Sequence, residues 1–140
     1  MLKLRDWIDI NKINWVYLSK NPNALELLKE NQNIINWSCL SENPNAIDLL
    51  KENKDKINWI FLSLNPNAID LLKENKDKID WHYLSLNPNA IELLKENQNK
   101  INWILLSKNP NIITYDYKKI KENMKKSGIY EELMTYTSKN

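Results

Sequence analysis

Glycine is almost missing from this chain, with one, Gly128, in 140 residues. A glycine-rich loop that cradles phosphate is therefore excluded, and tight turns must be made by other residues. One cysteine, Cys39, excludes a disulfide framework within the chain. One histidine, His82, leaves too few Cys and His side chains for a metal cluster. No nucleophile–base pair is suggested either, so neither an enzyme nor a cofactor is expected. No apolar run reaches membrane-spanning length, so no membrane role is expected. The opening MLKLRDWIDI is too short and too charged for a signal peptide. Net charge is scarce as well, at +2. From residue 11 to 113 twelve lysines meet twelve acids, and the excess lies in 114–140. A neutral body carries no electrostatic footprint for nucleic acid.

What the chain has instead is repetition. Asn, Lys and Ile number 23, 19 and 17. Their AT-rich codons alone can account for that bias. The stretch Asp55 to Asn75 reads DKINWIFLSLNPNAIDLLKEN, and with Lys76 it makes a unit of 22 residues. The unit recurs at Asn11–Asn31, Asn33–Asn53, Asp77–Asn97 and from Asn99 onwards. Trp15, Trp37, Trp59, Trp81 and Trp103 mark the period, as do Pro22, Pro44, Pro66, Pro88 and Pro110.

Each unit holds two helix signals. The first starts at Asn11, Asn33, Asp55, Asp77 and Asn99, residue types whose side-chain oxygen caps an orphan backbone N–H. Asn14, Asn36, Asn58, Asp80 and Asn102, three residues on, echo a capping box. Ile57, Phe61 and Leu62 share one arc with Trp59 on its flank. This predicts a helix A of about eight residues ending near Ser63. The second signal begins with Asn65 as cap and Pro66 at the first helical position, where its missing N–H costs nothing. Pro66 also pushes Asn65 out of the helical region, so helix A must stop before it. Ala68, Ile69, Leu71 and Leu72 fall on one face of helix B, and Asn67, Asp70, Lys73 and Glu74 on the other. Asn75 then stands where a left-handed C-cap is expected.

Helices shorter than about 12–15 residues are marginal alone in water. Stacked copies bury a continuous core, which predicts an all-α solenoid of about five helix pairs. A leucine-rich repeat has a similar period, and Leu62 to Ile69 fits its pattern. Its inward third position would hold Lys20, Glu42, Leu64, Leu86 and Lys108 here, and three charges in five do not line a core. Residues 1–10 are expected as an N-terminal cap, with Leu2, Leu4, Trp7, Ile8 and Ile10 on a capping helix. Residues 11–113 carry the repeats and 114–140 the C-terminal capping helices. Asp116 caps the first of these, with Tyr117, Ile120 and Met124 on one face. Ser127-Gly128 breaks it. Ile129, Leu133 and Tyr136 suit a last short helix.

Candidate sites are few. Cys39 shares a register with Tyr17, Phe61, Tyr83 and Leu105, which reads as core, so a buried inert thiol is expected. Glu26, Asp48, Asp70 and Glu92 form an acidic row that Lys29, Lys51, Lys73 and Lys95 neutralise, a solvated face. Val16, Ile60, His82 and Ile104 point away from the core arc of helix A, and Leu64 and Leu86 follow by four residues. The same registers hold Ser38, Glu42, Lys20 and Lys108, which a strict core would refuse. Ile60, Leu64, His82, Leu86 and Ile104 are therefore expected as an exposed apolar strip, a mark of a protein-binding surface. A capping segment or a second copy is the alternative cover for it.

The unit INWxxLSxNPNAIxLLKEN resembles the short repeats of many uncharacterised proteins of giant DNA viruses, mimivirus and its relatives. DYKKIKENMKKSGIYEEL resembles the way such arrays close. The resemblance covers nearly the whole chain and implies a viral protein in the host cytoplasm or the virion. It brings no established activity. The expected function is non-catalytic: a scaffold presenting a rigid helical surface to a host or viral protein, or to itself. The alternative is a helical-repeat nucleic-acid binder, since helical repeats can read one base each. The neutral repeats argue against it.

Overall fold

The computed structural model describes residues 3–129. Among them are ten α-helices and no strand. These are α1 (Trp15–Lys20), α2 (Leu25–Glu30), α3 (Trp37–Glu42), α4 (Ile47–Glu52) and α5 (Trp59–Leu64). They continue with α6 (Ile69–Glu74), α7 (Trp81–Leu84), α8 (Ile91–Lys95), α9 (Trp103–Leu106) and α10 (Tyr117–Lys126). The odd-numbered helices up to α9 are the A helices, and α2, α4, α6 and α8 are the B helices. α1, α3, α5 and α7 pack side by side in that order. The chain is thus an all-α solenoid of helix-pair repeats, and the leucine-rich alternative is excluded by the helices at the INW segments.

The helices begin later than the sequence suggests. Helix A is capped by Asn14, Asn36, Asn58, Asp80 and Asn102, not by the residue three before. Asn58 Oδ1 accepts from Ile60 N and Phe61 N. The earlier segment Lys54–Lys56 forms a separate 3-10 turn instead. Helix A therefore spans four to six residues rather than eight. Helix B begins at Leu25, Ile47, Ile69 or Ile91, after a turn made by Asn-Pro-Asn-Ala. Asn75 is not left-handed. Its φ is −131°, and its amide donates to Leu71 O, so it closes helix B through its side chain.

Burial follows the period. Leu40, Leu62 and Leu84 of the A helices are fully buried, as are Leu50 and Leu72 of the B helices. Ala46, Ala68 and Ala90 lie fully buried just before helix B, and Ile35, Ile57 and Ile79 are buried, though not completely, just before helix A. Trp15, Trp37, Trp59 and Trp81 pack half-buried against this core. Over three of them lies a lysine of the next unit: Lys56 on Trp37 (4.4 Å), Lys78 on Trp59 (4.8 Å) and Lys100 on Trp81 (4.5 Å). A cation over an indole face is attracted by the ring quadrupole.

Polar side chains stitch the units together. Asn43, Asn65 and Asn87 are fully buried, and Asn109 nearly so. Each donates its amide to two carbonyls of the unit before. Asn65 Nδ2 reaches Ser41 O (3.0 Å) and Asn43 O (2.9 Å). Asn43, Asn87 and Asn109 repeat the pattern. The next asparagine along adds a bond to a proline carbonyl, as Asn67 does to Pro44 O. A serine ladder runs beside them. Ser63 Oγ donates to Trp59 O (2.8 Å) and accepts from Asp80 N (3.0 Å), and Ser19, Ser41 and Ser85 do the same one unit apart. No buried polar side-chain atom among the described residues lacks a partner.

The two ends differ. Residues 3–9 form a turn at Asp6–Trp7 and no helix, in place of the expected capping helix. Leu4 and Ile8 are half-buried on it and Trp7 is exposed. At the other end the fifth B helix is absent: Pro110–Ile112 is a 3-10 turn, and 113–116 run without helix. Asp116 caps α10 as expected, and Gly128, at φ 78°, follows its end. No residue of α10 is buried. Leu2 of the N-terminal reading, and Leu133 and Tyr136 of the last expected helix, lie outside the described residues.

Candidate functional site

The candidate site is built on the side of the A helices that faces away from the core. In α5, Leu62 is fully buried. At 100° per residue, Ile60 and Leu64 lie on the opposite arc and Phe61 on its flank. Asn58 caps the helix, Trp59 is its first residue, and Leu62 and Ser63 face inward.

Five residues of this face were expected from the sequence. Ile60 is 45 % and Ile104 78 % exposed. His82 is exposed, and Leu64 and Leu86 are half-buried. They fall in two adjacent registers over units three to five. In units one and two the register of Leu64 and Leu86 holds Lys20 and Glu42, whose charges pair at 2.7 Å. Two leucines thus stand where an ion pair stands in the first two units.

The structure adds a third column and corrects an expectation. The register of Tyr17, Cys39, Phe61, Tyr83 and Leu105 is not core. Tyr17 is 77 % exposed, and Phe61 and Tyr83 each 36 %. Cys39 is half-buried rather than buried. Ile57 lies outside the helix, so Phe61 has no i−4 partner on the core arc, and Leu62 and Ser63 are the buried pair instead. Phe61 and Tyr83 therefore join the strip. The signal was in the sequence: two tyrosines in one register fit a wet boundary better than a dry interior.

His82 is held in place. Asn102 Nδ2 lies 2.7 Å from His82 Nδ1, while Asn102 Oδ1 accepts from Leu105 N. The Asn102 orientation is thereby fixed, so its amide faces Nδ1 as the donor. His82 also meets the Tyr83 ring edge-on, with centroids 5.4 Å apart. In unit two the same rung is made by Asn58 Nδ2 and Ser38 Oγ at 3.1 Å. The histidine substitutes for a serine in a structural contact.

The acidic row lies on the exposed side of the B helices. Glu26 and Glu92 pair with Lys29 and Lys95 at 3.2 and 3.5 Å. No three His, Cys, Asp or Glu among the described residues come together as metal ligands. No helix among the described residues is long and apolar enough to cross a membrane. Compared with known proteins, the chain matches no family model, no curated protein and no solved structure.

Proposed function

We propose that this chain is a non-catalytic binding repeat whose A-helix face, over units three to five, takes a protein partner. The observation that supports it is the concentration of apolar side chains there. Ile60, Phe61, Leu64, Tyr83, Leu86 and Ile104 lie in three neighbouring registers, with His82 among them. Contiguous exposed apolar surface on a soluble protein marks an interaction site more often than chance. Aromatic and branched side chains on a rigid scaffold lose little freedom on binding, which favours affinity. The scaffold is rigid because every A helix is tied to its neighbour through the serine ladder. The partner is a host or viral protein, in keeping with the giant-virus resemblance of the repeat.

The test is a paired affinity capture from infected cells with the wild type and the double variant Ile60→Asp, Leu86→Asp. Both positions are partly open, so the variant keeps its helical circular dichroism. Proteins retained by the wild type and lost by the folded variant support the reading. Equal capture by both, or an unfolded variant, overturns it.

A further inference from the structure

We infer that the C-terminal end of the stack receives the N-terminal end of a second copy, so that the chain associates head to tail. This surface is distinct from the A-helix strip and does not depend on it.

The argument starts from the contacts between units. Each unit gives the next one four acceptors and a ring. For unit two these are Ser41 Oγ, Ser41 O, Asn43 O, Pro44 O and Trp37. Each unit in turn gives the previous one a backbone N–H and two asparagine amides, and units three to five add a lysine where unit two has Ile34. For unit three these are Asn58 N, Asn65, Asn67 and Lys56. The same donors and acceptors meet again between units three and four and between four and five.

At the two ends this grammar is left open. Among the described residues, Ser107 Oγ, Ser107 O and Pro110 O receive no donor, and Asn109 O receives only Ile112 N. No lysine among the described residues lies over Trp103, which is 61 % exposed. At the other end the amides of Asn21 and Asn23 donate to nothing among the described residues, and both side chains are exposed. Lys12 stands in the register of Lys56, Lys78 and Lys100. One end carries the free acceptors and the other the free donors, at the spacing that already fits within the chain.

The apolar parts agree. The missing fifth B helix leaves a groove of about 530 Å³ lined by Ile91, Leu94, Ile101, Trp103, Leu106 and Ile112. On the N-terminal side, residues 3–9 stand in the register of a B helix before unit one, with Leu4 and Ile8 beside Leu18, Ala24 and Leu27, and Trp7 is 82 % exposed there. In a head-to-tail joint that segment takes the fifth B position, and α1 of the second copy stacks on α9. The joint is heterologous, so it does not close on itself and assembly runs on as a filament.

The experiment measures size against concentration by sedimentation velocity on the full chain. The head variant is Asn21→Asp with Asn23→Asp. Asn21→Asp keeps the oxygen that accepts from Asn23 N and sets carboxylates against the carbonyls of the joint. The tail variant is Trp103→Glu. Circular dichroism checks that each folds. The wild type is expected to grow past the dimer, and each variant to need at least about tenfold more protein, roughly 1.4 kcal/mol of lost contact. An equimolar mixture of the two variants is expected to stop at a one-to-one dimer, since one intact head meets one intact tail. A wild type that stays monomeric, one that stops at a dimer, or assembly that survives the head variant overturns the inference. The Ile60→Asp, Leu86→Asp variant is expected to assemble like the wild type. A failed capture test therefore leaves this result standing, and the converse holds too.

Discussion

At the residue scale, asparagine is the most informative side chain in this protein. Its capping role in the sequence was legible, but its reach to the unit before was not. A pattern read along the chain shows a side chain's neighbours within about four residues, whereas Asn65 donates to groups 22 and 24 positions back. The absence of charge variants hints at the reason: the position is asparagine in all five units, and a carboxylate there would face two carbonyls. Replacing Asn65 by Ala strands Ser41 O, leaves Asn43 O with only its bond from Ala46 N, and takes the acceptor from Asn67 N; a buried group left without a partner costs about 1–3 kcal/mol. Urea denaturation should show a large drop in midpoint. Asn67→Ala removes one exposed bond and should cost under about 1 kcal/mol. Cys39 is a second case. Its half-buried position means it should label with a maleimide in the native state, more slowly than a free thiol and without prior unfolding. Labelling only after denaturant is added would return this column to the core.

At the scale of the element, the helices are too short to be held by backbone bonds alone. What the sequence shows well is where a helix must stop, because Pro66 is unambiguous. What it shows poorly is where one starts, because Asp55 and Asn58 are both good caps and lie three residues apart. Tertiary packing decides between them. Starting at Trp59 puts Leu62 inside, beside Leu40 and Leu84. It also takes Ile57 off the helix, so the arc of Ile57 and Phe61 does not exist and the register of Phe61 and Cys39 is left at the edge of the core, which is why only part of the strip is legible in the sequence. Asn58→Ala should cost about 1 kcal/mol through lost capping. Asn58→Asp should be near neutral, since Asp80 already caps α7 in the same register. The comparison is made by thermal melts at one protein concentration. A large loss for Asn58→Asp would show that its amide bond to Ser38 Oγ outweighs the cap.

For the whole molecule, stability accumulates unit by unit. Deleting residues 55–76 joins Lys54 to Asp77 and keeps every ladder in register. The shortened chain should stay helical and unfold cooperatively, with a denaturant slope lower by roughly a fifth, because less surface is exposed on unfolding. Deleting 55–65 breaks the period and should leave the chain without a cooperative transition. The two are compared by circular dichroism in urea. There is a cost to so uniform a set of rungs. Asn65 and Asn87 make the same bonds, so either could dock where the other belongs. Nothing in the chemistry of a rung names its proper neighbour. Order is imposed by tethering alone: the nearest copy in sequence arrives first because closing a short loop loses the least entropy. Rapid dilution from denaturant should therefore populate compact chains with a unit skipped and bulged out, and these should anneal slowly to the native order.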